Sequence, residues 1–157
     1  MAKSKNPPEA EKEIAVLRVS IDGRRNVSRD VEVRASSSLY ALAEAIVIDA
    51  FGWDFDHAFG FFNDLECYHD STGRYELFAD IGETDEYLSG ATPLSVKKTK
   101  VQDVFDDVGK KMLFLFDYGD EHLFVVELVD QKAKQLKHGY PMISNVKGKA
   151  PEQYEAA

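Results

Sequence analysis

The sequence predicts an α+β fold: a β-grasp-like mixed sheet with one main helix packed on it and a second short helix before a C-terminal hairpin. Three observations predict it. Residues 110–129, KKMLFLFDYGDEHLFVVELV, read as two apolar strands joined by an acidic turn, Asp117-Tyr118-Gly119-Asp120-Glu121. Residues 14–51 read strand, strand, helix, because apolar spacing changes there from every second residue to every third or fourth. A short stretch from Thr99 to Gly109 then repeats the helical spacing directly before the apolar hairpin.

Taken in order, residues 1–12 are polar, with Pro7-Pro8, and read as a disordered lead-in. Residues 13–147 form the expected single domain. In the first strand, Ala15, Leu17, Val19 and Ile21 share one face. Asp22-Gly23 begins a turn that Asn26 closes, and Val27 to Arg34 is the second strand, with Val31 and Val33 inward and Asp30, Glu32 and Arg34 outward. Ser36-Ser37-Ser38 offers N-cap hydroxyls. Leu39, Leu42, Ala43, Ile46 and Ala50 then form a helical stripe that Gly52 ends.

Trp53-Asp54-Phe55-Asp56-His57 links that helix to an aromatic strand, Ala58 to Phe62. A turn at Asp70-Ser71-Thr72-Gly73 precedes a weak strand, Tyr75 to Ala79. Asp80 to Lys98 is a long polar connection. Thr99 and Gln102 have capping-box spacing for the second helix, whose stripe is Val101, Val104, Phe105 and Val108. The next strand is apolar on both faces, Leu113 and Leu115 opposing Met112, Phe114 and Phe116, which marks a central strand. An edge strand is expected near Tyr140 to Val146, and residues 148–157 read as a tail.

Composition narrows the function classes. The 157 residues carry a formal net charge of −9, which disfavours generic nucleic-acid binding. The single cysteine, Cys67, makes neither an intramolecular disulfide nor a cysteine-based zinc site and fits a reducing compartment. No run approaches the ~20 apolar residues of a membrane span, and the first 13 residues lack the apolar core of a signal peptide. The cytoplasm is the expected location, with no membrane association and no cofactor.

No nucleophile elbow, P-loop, HExxH or dinucleotide fingerprint is present, so no catalytic residue and no metal ligand is assigned. The candidate binding residues are Trp53, Asp54, Asp56 and His57 in one loop and Asp117, Tyr118 and Asp120 in the hairpin turn, with Glu121 and His122 beside them. If the loops meet, carboxylates and imidazoles together suit a divalent ion or acid–base chemistry. The simpler reading is turn formation, since Asp and Gly build chain reversals without any ligand. Trp53 is read first as core, and as an interface anchor second. Lys132, Lys134 and Lys137, with His138, read first as a solvated face and second as a small anion-binding patch, and against the net acidity they make a weak nucleic-acid signal.

Three stretches carry a family resemblance: AFGWDFDHAFGFF, the run VQDVFDDVGKKMLFLFDYGDEHLFVVEL, and YPMISNVKGKAPEQY. Together they resemble the plasmid pRiA4b ORF-3-like family over roughly Ile14 to Tyr154. The resemblance implies an α+β fold and a largely uncharacterised role, with some members labelled as mobile-element passengers or resolvase-like. Where that family often has a Trp and then a His after the GD of the hairpin, this chain has His122 and Phe124.

The first expectation is therefore a non-enzymatic protein-interaction module, binding through a sheet edge or the aromatic face around Trp53 and Phe59 to Phe62. The alternative is a small metal-dependent or hydrolytic enzyme using the Asp54/Asp56/His57 and Asp117/Asp120 loops. A mobile-element-associated nucleic-acid role is third.

Overall fold

Alternating apolar residues at the N-terminus start a sheet that the rest of the chain extends on both sides. The computed structural model describes residues 9–82, 92–135 and 137–154. Strand β1 (Ile14–Ile21) pairs antiparallel with β2 (Arg24–Arg34) across Asp22-Gly23, where Gly23 takes φ +80°. β2 resumes at Arg24, earlier than the expected Val27. The remaining strands are β3 (Phe59–Phe62), β4 (Arg74–Glu76), β5 (Lys111–Phe116), β6 (His122–Lys132) and β7 (Met142–Lys147). They form one seven-stranded sheet in the order β4-β3-β5-β6-β1-β2-β7.

Among the described residues all six strand pairings are antiparallel, with one isolated parallel bridge between Tyr75 and Leu94, which corrects the expected mixed sheet. The physical reason is connection length. The links β1–β2 and β5–β6 are far too short for a parallel crossover, which needs a dozen or more residues.

One long segment covers one face of the sheet. Helix α1 (Leu39–Glu44) opens with the Ser38 hydroxyl accepting from Ala41 N at 3.0 Å. The chain then widens into a π-helical turn over Ala45–Ala50, where Phe51 N reaches back five residues to Ile46 O. Gly52 at φ +69° ends it, as the sequence led one to expect. Leu39, Leu42, Ala43, Ile46 and Ala50 are all buried, in one cluster with Leu17, Val31, Phe59, Phe61, Phe114 and Phe124. Each large side chain there contributes about 1.5–3 kcal/mol by leaving water.

The other face is covered over its β3–β5–β6 part. Phe62, Tyr68, Leu113, Leu115 and Val125 form a second cluster there, with Leu65, Tyr118 and Leu123 packed against it. β5 is therefore buried on both faces, as its two-sided apolar pattern implied. Toward β2 the same face turns polar. Asp30 and Glu32, expected outward, are buried there because Arg18 pairs with Asp30 at 2.9 Å and Lys132 with Glu32 at 2.6 Å.

Several boundaries differ from expectation. The strand expected over Tyr75 to Ala79 is Arg74–Glu76, followed by a helical turn, α2 (Leu77–Asp80). The Asp80 carboxylate accepts from Val96 N at 2.9 Å and also bonds the Ser95 hydroxyl, so part of the long connection is tied back; residues 83–91 lie outside the described residues. The second helix, α3 (Val101–Val104), is capped by Asp103 accepting from Lys100 N at 3.0 Å rather than by a Thr99/Gln102 pair. Thr99 instead bonds its hydroxyl to Ser95 O at 2.5 Å. Val108 is exposed, because the helix has ended before it. Of the expected lead-in, residues 1–8 lie outside the described residues and Glu9–Lys12 forms a short 3-10 turn.

Two buried arginines hold the layers. Arg29 donates from Nε to Ala50 O at 3.0 Å and from Nη1 to Lys147 O at 2.8 Å and Gly148 O at 3.1 Å. It thus ties the end of the helical segment to the chain leaving β7. Arg74 lies over the Phe62 ring, with Nε 3.4 Å from Glu76 Oε2. Both members of that pair are wholly buried, and the Tyr118 hydroxyl donates to Glu76 Oε1 at 2.6 Å.

Gly60 makes room for this arrangement. A Cβ there would lie 2.8 Å from the Phe62 ring and 2.9 Å from Glu76 Cγ. Gly60→Ala is expected to cost about 1–3 kcal/mol through overpacking, read as a lower urea midpoint at unchanged slope. A midpoint equal to that of the parent chain would contradict the packing described.

Candidate functional site

The two acidic loops meet at the end of the sheet where β5 leaves and β6 begins. Phe116 is the last residue of β5, and Asp117 turns the chain with φ +67°, a conformation that Asp tolerates better than most residues. Asp117 Oδ1 accepts from Gly119 N at 3.0 Å and from Asp120 N at 3.2 Å. Its backbone N–H donates to Ala58 O at 2.9 Å, which docks the Trp53–His57 loop against the turn. The turn-forming role expected of Asp117 is thus real, and it occupies one carboxylate oxygen only.

The other oxygen faces His57. Asp117 Oδ2 lies 3.5 Å from His57 Nε2, and Asp56 Oδ1 lies 2.7 Å from His57 Nδ1. The imidazole is held between two carboxylates, with its edge toward the Phe116 ring. Asp117 is nearly buried, with 8% of its side chain exposed, whereas His57 keeps 39% exposed. The hydrogen bond to Asp56 holds the His57 pKa above its ordinary value, and the nearby Asp117, Asp56 and Asp120 charges act in the same direction.

The closing segment completes the cluster. The Tyr154 hydroxyl donates to Asp56 Oδ2 at 2.6 Å, which holds the Asp56 carboxyl below the usual range and pushes the phenol up to about 12. Gln153 exchanges two bonds with the Asp54 backbone, its Oε1 accepting from Asp54 N at 2.8 Å and its Nε2 donating to Asp54 O at 2.9 Å. Trp53 Nε1 donates to Pro151 O at 2.9 Å. Residues 148–154, expected as a tail, thus lie against the first loop. Composition gave no sign of this, but Pro151, Gln153 and Tyr154 all fall in the third stretch that carried the family resemblance.

The candidate residues are not all brought together. Asp56, His57, Asp117 and Asp120 converge. Asp54 meets Gln153 through its backbone. Trp53 is buried against Phe51, Phe124 and the His122 ring, whose centroid is 4.7 Å away. Tyr118 turns to the opposite face, to Glu76 and the Phe78 ring, because the positive φ of Asp117 breaks the strand alternation that would have kept it on the side of Phe116. Phe59, Phe61 and Phe62 are core, so the aromatic face expected as a binding surface is not on the surface.

His122 supplies a second imidazole. A ring nitrogen of His122 and one carboxylate oxygen each from Asp117 and Asp120 all lie within 4.8 Å of one another. His122 Nε2 is buried and has no hydrogen-bond partner among the described residues. A cavity of about 240 Å³ opens beside this ring, with Trp53, Glu121 and Pro151 among its walls. Two carboxylates and an imidazole are a mixed oxygen–nitrogen donor set of the kind that suits first-row divalent ions.

A raised histidine pKa makes stability depend on pH. Protonated His57 favours the folded state, so its contribution is complete below the unfolded value of about 6.5 and is lost as pH rises through the folded pKa. The stability difference between the parent chain and His57→Gln is therefore expected to shrink between pH 6 and pH 9 in urea unfolding. A difference that grows with pH would contradict it.

The family described as plasmid pRiA4b ORF-3-like protein matches residues 13–154. A crystal structure of a protein of unknown function from Methanosarcina mazei Go1 is similar, with a TM-score of 0.68 at 19% identity over 89% of this chain and 72% of that one. At that identity the likeness concerns the fold alone. No curated protein matches the chain. No helix among the described residues is long and apolar enough to cross a membrane.

Proposed function

The chain belongs to the plasmid pRiA4b ORF-3-like family, and on that footing we propose that it is a divalent-cation-binding domain with an acid–base group beside the ion. Asp117, Asp120 and His122 hold the ion, and His57 exchanges the proton. The observation that carries this reading is the approach of three donor atoms from those residues to within 4.8 Å of one another. Oxygen and nitrogen ligands sit about 2.0–2.2 Å from such an ion, so modest side-chain movement closes the set. The buried His122 Nε2, without a hydrogen-bond partner among the described residues, and the gathering of Asp56, Asp117 and Asp120 around His57 both favour an added cation.

The chemistry follows from the shared carboxylate. Asp117 lies 3.5 Å from His57 and also contributes a donor atom to the group it forms with Asp120 and His122. An ion taken by Asp117 weakens the hold of that carboxylate on the imidazolium and makes the His57 proton easier to give up. A half-exposed imidazole next to an ion is the pairing that metal-assisted hydrolysis uses. That is the reaction class this site fits.

Titration calorimetry with Mn²⁺ or Zn²⁺ tests the reading. The expected result is about one ion per chain, binding more tightly at pH 8 than at pH 6 because protons compete for the donors. Asp120→Asn and His122→Gln should each weaken binding by roughly tenfold or more, and Asp49→Asn, at an exposed acid of the helical segment, should not. No saturable binding, or equal loss from Asp49→Asn, would contradict it.

A second reading keeps the protein-interaction module in reduced form. β7 is an edge strand with Val146 exposed, and an open edge can add a strand from a partner. A chain that stays monomeric and captures no reproducible partner, while binding an ion, would count against it.

A further inference from the structure

A group of cationic side chains lies at the opposite end of the sheet. β6 runs from His122, beside the acidic cluster, to Lys132, 11 residues along. At a rise of about 3.3 Å per residue, its two ends are roughly 33 Å apart. Beyond the far end, where β1 begins and β2 ends, lies a surface cavity of about 440 Å³. Three cationic side chains line it: Lys12 from the 3-10 turn before β1, Arg34 at the end of β2, and Lys134 just after β6. Ser36 and Gln102 add neutral donors, and Glu13 is the one acid among the described lining residues.

Three cations from three separate segments converge here although the chain as a whole carries a net charge of −9. They are also uncommitted. Arg18 and Lys132 on the neighbouring face are taken by Asp30 and Glu32, whereas Lys12, Arg34 and Lys134 pair with no carboxylate among the described residues. Like charges gathered around a concavity repel one another, and an anion seated between them relieves that repulsion. Buried Ile14 and Ala35 lie among the lining residues and give the cavity a fixed wall.

From this we infer that the cavity is a binding site for a small multiply charged anion of the phosphate class, a pyrophosphate or nucleoside diphosphate. Arg34 would meet two oxygens at once through its planar fork, and the two lysines would act as point charges on the remaining oxygens. Ser36 and Gln102 would donate from the side to the less charged part of the ligand. The site is independent of the acidic cluster, since the two share no residue.

Calorimetry and thermal melting of the whole chain with inorganic pyrophosphate, and separately with ADP, test this, using sodium chloride of matched ionic strength as the reference. The expected result is saturable binding of about one anion per chain that weakens as salt rises. At large excess over Kd the melting temperature should rise by about 5 °C. Arg34→Glu and Lys134→Glu should each weaken binding by roughly tenfold or more, whereas Lys110→Glu, at an exposed lysine outside the cavity, should leave it unchanged. Binding of ADP alone places the nucleoside in the cavity as well; binding of both probes assigns the site to the diphosphate. No saturable binding of either, or equal loss from Lys110→Glu, would overturn the proposal. So would tighter binding of a single-stranded oligonucleotide than of pyrophosphate, because the ligand would then be a nucleic-acid backbone.

Discussion

The carboxylate of Asp117 is where the fold and the candidate site become one problem. β5 is buried on both faces, and the chain has to leave it abruptly to return as β6. Asp117 does this with a positive φ, which costs backbone energy unless its surroundings hold it. One oxygen repays that cost locally by accepting from Gly119 and Asp120. The other is left nearly buried, facing His57. A buried carboxylate needs partners, and the need for a tight turn fixes where the second partner must stand.

The turn is pinned from the opposite side as well. Tyr118 crosses to the far face of the sheet and bonds Glu76, which is paired with Arg74 over the Phe62 ring. Neighbouring residues thus anchor to opposite layers, which leaves the turn little freedom. The closing segment is held in a comparable way. Arg29 grips the carbonyls of Lys147 and Gly148 as the chain leaves β7, and from there Pro151, Gln153 and Tyr154 reach Trp53, Asp54 and Asp56. The more buried contacts lie at the base of that segment and the exposed ones at its tip, where Tyr154 and Gln153 reach Asp56 and Asp54.

Much of this was legible in the sequence, for identifiable reasons. The helical stripe from Leu39 to Ala50, the strand faces of β1 and the two-sided burial of β5 follow from periodicity, and burial enforces periodicity directly. The π-helical turn was not legible, because apolar spacing in Ala45–Ala50 fits either helical geometry. The capping of α3 went to Lys100 and Asp103 rather than Thr99 and Gln102, because several polar neighbours compete for the same helix end. In the site, Asp56, His57, Asp117 and Asp120 were recognisable by residue type. Their partition was not: Tyr118 leaves for the other face, and Tyr154 arrives from a segment with no periodic pattern. Which neighbours of a turn share a face depends on where the strand stops, and that is a matter of one residue.

The most direct test of the role given to Asp117 is an NMR titration of the His57 imidazole in the intact chain. Held by Asp56 and faced by Asp117, His57 should titrate above the ordinary value of about 6.5, and Asp117→Asn should lower that midpoint while Asp56 stays in place. A midpoint at or below 6.5, or one that Asp117→Asn leaves unmoved, would contradict the assignment of Asp117 as both the closing residue of the turn and a partner of His57.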